Sequence, residues 1–228
     1  MKLTLIKKIK RVGNIKSFIF SPEKKFIWKA GQYLIAKIEH EKQDLRGKMR
    51  FITISSAPFE KNVMITTRIF GKKASSFKKT LDDLKIGDEI EIKGPDGDLY
   101  IQDFKKQYVF VAGGVGITPF WSILKQLNYE KKIPNIFLLY ANKNNNILFK
   151  EEIEQISKKF NKLKIIYFIS PNKITKESLK KLKLDFKKAI FFISGPEKMI
   201  YKIKILLNEL GAKDENMKED YFTGYSKI

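Results

Sequence analysis

The residues best suited to chemistry in this 228-residue chain lie in the run Val109-Phe110-Val111-Ala112-Gly113-Gly114-Val115-Gly116-Ile117-Thr118-Pro119. Tyr108 to Ala112 reads as an apolar strand buried on both faces, and Phe120 to Leu127 carries apolar residues at helical spacing. Between them, Gly113, Gly114 and Gly116 allow a ligand close to the backbone. Thr118 is expected to cap the helix by accepting a backbone N–H, and Pro119 to open it. The unpaired N–H groups and the positive end of the helix dipole then face the turn, which is the chemistry of a diphosphate cradle. The spacing is not the Rossmann fingerprint, whose third small residue would fall on Pro119.

Such a turn needs a sheet to carry it, and the second half of the chain supplies one. From Gln107 onward the pattern alternates: Tyr108 to Ala112, Phe120 to Leu127, Asn135 to Ala141, Phe149 to Phe160, Lys164 to Ile169, Thr175 to Leu182, Ala189 to Ser194 and Glu197 to Leu210. Apolar runs alternating with amphipathic ones predict a parallel sheet with helices on both faces, and ligands of such sheets bind at the carboxyl ends of the strands. Lys143 and Ser194 lie at two of these ends, and Met217 to Phe222 reads as a last edge strand. Before Gln107 the pattern is different. Leu3 to Lys10, Ile15 to Phe20, Tyr33 to Ile38, Arg50 to Ser55, Val63 to Phe70 and Asp88 to Lys93 are short β-prone runs divided by turn residues, with one short helix near Ser76 to Leu84. They predict a six-stranded antiparallel barrel. The fold class is therefore two-domain, a β-barrel over 1–103 and an α/β parallel-sheet domain over 104–228.

Composition limits the chemistry available. The absence of cysteine excludes disulfides and Cys-ligated iron–sulfur clusters, so redox work would need an organic cofactor. A single histidine, His40, leaves no His-based metal site or Ser-His-Asp triad, and it reads as a solvated loop residue. The net charge of +21 is carried almost wholly by lysine, since only Arg11, Arg46, Arg50 and Arg68 are arginine. Guanidinium forks that read phosphates and guanine edges are nearly missing, which argues against a nucleic-acid partner and leaves an acidic protein open. No signal-peptide core or membrane-spanning run is visible, and a cytoplasmic location is expected.

The string Gly113-Gly114-Val115-Gly116-Ile117-Thr118-Pro119 resembles the nucleotide-binding turn of the ferredoxin-NADP reductase family, flavoproteins that pass electrons between a nicotinamide and a one-electron partner. Further strings resemble the same family, in its order. Ala30-Gly31-Gln32-Tyr33 comes first, then Arg50-Phe51-Ile52-Thr53-Ile54-Ser55-Ser56-Ala57-Pro58, which is similar to its Arg-x-Tyr-Ser/Thr signature. Thr66-Thr67-Arg68 is followed by Ser75-Ser76-Phe77, then by Gly94-Pro95-Asp96-Gly97-Asp98-Leu99-Tyr100. Ser194-Gly195-Pro196-Glu197-Lys198-Met199 resembles the family's Cys/Ser-Gly-Pro-x-x-Met.

The resemblance implies FAD on the barrel and NAD(P)H on the parallel sheet. It implies that Arg50 pairs with the FAD diphosphate, that Thr53 hydrogen-bonds the flavin ring, and that Ile52, Ile54, Ser55, Thr67, Arg68 and Phe77 line the flavin. Ser75 and Ser76 would cap a helix whose N-terminus faces the diphosphate. Ile52 departs from the family, which places an aromatic ring there. The nicotinamide dinucleotide would meet Gly113, Gly114, Gly116, Thr118, Pro119, Gly195, Pro196 and Met199, with Ser194 beside the nicotinamide. Lys143 either meets a 2′-phosphate or is one more surface lysine, so NADH against NADPH stays open. A C-terminal aromatic, Phe222 or Tyr225, would cover the flavin face.

The implied activity is hydride transfer from NAD(P)H to flavin N5, Thr53, Ser194 and Phe222 being the residues nearest the chemistry. The electrons then pass to a separate acidic carrier such as ferredoxin or flavodoxin. A reductase of diffusible flavin and an electron-transfer subunit of a larger redox complex are the alternatives.

Overall fold

A computed structural model describes residues 1–41, 43–69, 71 and 74–221, which divide into two compact units, Met1–Tyr100 and Ile101–Ile228. The first unit contains β1 (Lys2–Lys10), β2 (Ile15–Pro22), β3 (Tyr33–Lys37), β4 (Met49–Thr53), β5 (Val63–Arg68), the helix α1 (Ser76–Asp83) and β6 (Glu89–Asp96). All pairings are antiparallel, in the order β4-β3-β6-β1-β2-β5, and an isolated bridge from Ile54 to Ile65 joins the two ends of that order into a barrel-like closure. Leu3 and Leu5 of β1, Phe18 and Phe20 of β2, Leu34 and Ala36 of β3, and Ile90 and Ile92 of β6 fall at alternate positions and form one core. Phe77 and Leu81 of α1 are fully buried in that core, so the helix is fixed by its apolar face.

The second unit holds β7 (Gln107–Gly113), α2 (Thr118–Tyr129), β8 (Asn135–Asn142), α3 (Lys150–Lys159), β9 (Leu163–Ile169), α4 (Lys176–Lys180), β10 (Ile190–Gly195), α5 (Glu197–Glu209) and β11 (Met217–Tyr221). Its sheet is wholly parallel, ordered β11-β10-β7-β8-β9. β7 lies at the centre and is buried from Tyr108 to Gly113, which explains its unbroken apolar sequence. The period of two divides its side chains between faces. Phe110 stacks on Phe120 of α2 and on Phe192 of β10, with centroids 4.7 and 5.5 Å apart. Val109 and Val111 pack with Ile200, Ile203 and Leu207 of α5 and Leu179 of α4. Helices thus cover both faces.

Among the predicted elements that differ in extent are β6 and α4. β6 runs past the expected end at Lys93 to Asp96, because Tyr33 of β3 continues to pair with it there. The helix expected over Thr175 to Leu182 is confined to Lys176–Lys180, capped by the Thr175 hydroxyl, which accepts from Ser178 N.

Candidate functional site

In the second unit, the carboxyl ends of β7 and β10 bring the glycine turn and the Ser194 turn together. The register pairs Ser194 with Ala112. A Cβ built on Gly116 would sit 2.3 Å from the Ser194 carbonyl oxygen and 2.8 Å from Gly195 Cα, so only glycine fits this backbone-to-backbone approach. A Cβ on Gly113 would sit 2.6 Å from Met199 Sδ and 2.9 Å from Pro196 Cδ. Met199, in the first turn of α5, therefore lies over Gly113, and its methyl is equally close to a Cβ built on Gly195. Gly113, Gly116, Ser194, Gly195, Pro196 and Met199 form one packed junction. Gly114 takes a left-handed conformation, φ 56°, and starts a 3-10 turn, Gly114–Ile117, that leads into α2.

The helix entry differs from expectation. Thr118 is already inside α2, and its hydroxyl donates to the Val115 carbonyl at 3.1 Å rather than accepting a backbone N–H. The 3-10 turn places that carbonyl within reach of the hydroxyl, and Pro119 sits one position later than expected, still in the first turn where its missing donor costs nothing. Two further side chains, which no local motif marks, also shape the site. The Tyr140 hydroxyl, buried at the end of β8, lies 3.0 Å from the Gly114 carbonyl and 3.3 Å from that of Leu148, so it ties the turn to the β8–α3 connection. Phe149, at a left-handed φ of 58°, stacks on Trp121 of α2 at 4.7 Å.

Among the described residues, the Ser194 hydroxyl is fully buried without a hydrogen-bond partner, and so is the Asn142 amide nitrogen at the end of β8. Buried polar atoms are nearly always paired, and these two unpaired ones lie at the carboxyl edge of the parallel sheet. Lys143 is exposed beside Asn142.

In the first unit, Arg50 is largely buried and heavily engaged. Its Nη1 donates to the carbonyls of Arg46, Gly47 and Met49 at 2.8, 2.8 and 2.6 Å, its Nη2 to Asp44 Oδ1 at 3.1 Å, and the guanidinium lies 5.3 Å from the Phe77 ring centre. Asp44 also accepts from Ser76 N at 3.0 Å and from Arg46 N at 2.9 Å. Burial opposes the ionised form of Asp44, but the N–H groups of Arg46 and Ser76 and the charges of Arg50 and Arg46 outweigh it and hold its carboxyl below the usual range.

Ser75 is the N-cap of α1 and accepts from Lys78 N at 3.3 Å, whereas Ser76, expected to share that role, is the first helical residue. Its hydroxyl accepts from Asp44 N and lies 2.9 Å from His40 Nε2. His40 is thus not a solvated loop residue. Its Nδ1 donates to the Ile38 carbonyl at 2.8 Å, which leaves Nε2 to accept the Ser76 proton in the neutral ring.

Further along β4, Ile52 is half-buried against the barrel core, Phe51 points the other way and is exposed against Tyr33, and Thr53 and Ile54 are buried. The Ser55 hydroxyl turns inward. It donates to the Met64 carbonyl at 2.9 Å and lies 2.8 Å from Thr66 Oγ1, which meets Ser17 Oγ at 2.8 Å, and Arg11 Nε donates to Ser17 at 2.9 Å. Thr67 and Arg68 end β5, and the Arg68 carbonyl accepts from Lys78 Nζ. Phe222 and Tyr225 lie outside the described residues. Among those described, no group of acidic, histidine or cysteine side chains could hold a metal ion, and no helix is long and apolar enough to cross a membrane.

Residues 110–204 match the oxidoreductase NAD-binding domain family. Flavohemoprotein A of Dictyostelium discoideum is 28% identical over 237 residues, 95% of this chain and 58% of the relative. The FAD/NAD-binding domain of nitric oxide dioxygenase from Vibrio cholerae superposes with a TM-score of 0.82 at 19% identity, covering 97% of this chain and 98% of that one. Ferredoxin-NADP+ reductase from Plasmodium falciparum gives 0.80 at 21% identity, covering 97% and 95%. The chain has the two-domain fold of the ferredoxin-NADP reductase-like flavoproteins. The chain spans less than two thirds of its flavohemoprotein relative, and its likeness in fold to the Plasmodium falciparum reductase runs through both units.

Proposed function

We propose that the chain is an NAD(P)H-dependent flavin oxidoreductase that holds FAD on the barrel and a nicotinamide dinucleotide at the carboxyl edge of the parallel sheet. The observation that carries the reading is the orphaned, fully buried Ser194 hydroxyl, set beside a glycine turn that admits no side chain at Gly116. A bound FAD supplies the exchange between the electron pair of a nicotinamide and the single electrons of a carrier. The chain's own part is binding and orientation. The Gly114–Ile117 turn and the N-terminus of α2 would receive the diphosphate of the dinucleotide, and Ser194 would stand beside the nicotinamide. Arg50 and the N-terminus of α1 would hold the flavin diphosphate, with Ile52 and Thr53 along the ring.

The acceptor we favour is an acidic carrier such as ferredoxin or flavodoxin, because a net charge of +21 steers anionic proteins. A second reading, an electron-transfer unit within a larger redox assembly, is favoured by the 58% coverage of Flavohemoprotein A. The test is to purify the chain, identify its flavin after denaturation, and bleach it anaerobically with NADH and NADPH in parallel. Bleaching by either nicotinamide supports the reading, and a folded protein that binds neither FAD nor nicotinamide refutes it. Reduction of an acidic carrier should then slow as salt rises, since steering is screened beyond about 8 Å at physiological ionic strength. A salt-independent rate would favour the second reading.

A further inference from the structure

We propose that Asp44 is an internal stand-in for the flavin diphosphate, and that FAD binds by exchanging with its carboxylate on Arg50 and on the first N–H of α1. The inference rests on the flavin reading of β4 given above. The donors that reading assigns to the diphosphate are a guanidinium edge and a helix N-terminus, and both already hold one anion of this chain. Asp44 Oδ1 takes Arg50 Nη2 at 3.1 Å, and Oδ2 takes Ser76 N at 3.0 Å. A carboxylate bridging these two groups occupies the place in which one phosphate oxygen pair would lie.

The two anions cannot share these donors. Arg50 Nη1 is held by three carbonyls of residues 46, 47 and 49, so the guanidinium is fixed with Nη2 toward Asp44. A diphosphate brought to the same edge would meet the Asp44 charge at contact distance, where like charges repel strongly. Exchange does not require the barrel to open. The Asp44 side chain is 30% exposed, so rotation toward solvent releases it. Arg50 meanwhile keeps its three carbonyl contacts, and the Ile38 N to Lys48 O bond holds the base of the loop. Before FAD arrives, Asp44 keeps Arg50 and the helix end paired and in position. During binding it opposes the ligand, so FAD is retained less tightly than its donors alone would allow.

The test compares the wild type with Asp44→Asn and with Asp44→Ser, which retains a side-chain oxygen for the Arg46 N–H. FAD and riboflavin are each titrated by flavin fluorescence, and cooperative melting confirms folding. Glu41→Gln removes the same charge from the same loop without this contact. Both Asp44 variants should bind FAD about tenfold tighter, the scale of one charge-assisted contact that no longer competes. Riboflavin, which lacks the diphosphate, should bind as to the wild type, and Glu41→Gln should match the wild type for both ligands. Unchanged or weaker FAD binding in the Asp44 variants overturns the inference while leaving the flavin reading intact. Equal tightening of riboflavin, or the same gain in Glu41→Gln, also overturns it, because the effect would then lie in the ring pocket or the overall charge. If folded wild type and variants all fail to bind FAD, the flavin reading fails and the inference falls with it.

Discussion

Replacing Gly116 by alanine should damage nicotinamide use and the parallel-sheet unit together while sparing the flavin. The added methyl would lie 2.3 Å from the Ser194 carbonyl oxygen, 2.6 Å from its carbon and 2.8 Å from Gly195 Cα. Ordinary contacts begin near 3.4 Å. Relief therefore requires the β10 turn and the glycine turn to separate by roughly 1 Å, and both are backbone held by strand pairing to neighbours that cannot rotate away. Overpacking of this kind costs about 1–3 kcal/mol, and a backbone clash belongs at the upper end. For a unit of this size that corresponds to a fall in Tm of about 10 °C.

Because the displaced residues are Ser194 and Gly195, KM for NAD(P)H should rise at least tenfold, consistent with loss of about 1.4 kcal/mol of binding. Flavin content should stay at the wild-type level. Gly13→Ala is the control. Gly13 has a left-handed φ of 57° and open space around the new methyl, so its alanine carries backbone strain of about 1 kcal/mol and no change in KM. If Gly116→Ala keeps wild-type Tm and KM, the steric argument for the junction is wrong.

Three other outcomes can be checked. Thr66→Val removes the middle hydroxyl of the Ser17–Thr66–Ser55 chain while Arg11 still holds Ser17 and the Met64 carbonyl still holds Ser55, so it should cost about 1 kcal/mol, or about 5 °C in Tm, with nicotinamide KM unchanged. Arg50→Ala should abolish flavin retention, since it removes the Asp44 pair, the three carbonyl contacts and the ring contact with Phe77 together; full flavin occupancy in that variant would remove Arg50 from the site. Asp44, whose carboxyl is held below the usual range, contributes stability that is complete above about pH 4 and is lost as pH falls through its folded value, so the melting temperature of Asp44→Asn should decline less steeply on acidification than that of the wild type.

Local pattern carried much of this. Leu3 and Leu5, Phe18 and Phe20, and Ile90 and Ile92 alternate cleanly enough to be read as strands, and the unbroken run Tyr108 to Ala112 announced a central parallel strand. Long-range chemistry was less legible. The Ser76 contacts with His40 and Asp44 span 36 and 32 residues, and no spacing rule connects a loop to the helix it will clamp. For the same reason the resemblance places Ser55 along the flavin, while its hydroxyl turns to Thr66 inside the barrel. From sequence, the glycines signal ligand access alone. At Gly113 and Gly116 the immediate constraint is Met199 and the Ser194 backbone, a demand that exists only once β7 and β10 are neighbours.

That junction has a consequence for anyone redesigning cofactor preference. Residues 113–119 and 194–199 behave as a single cassette, because Met199 fills the space over Gly113 and Gly195 while the Ser194 carbonyl fills the space over Gly116. A loop graft that imports one half from a homologous scaffold brings side-chain volumes cut to a different counterpart. Libraries should therefore randomise or transplant the two halves jointly, and single-site saturation at Gly116 should return almost exclusively the parental residue.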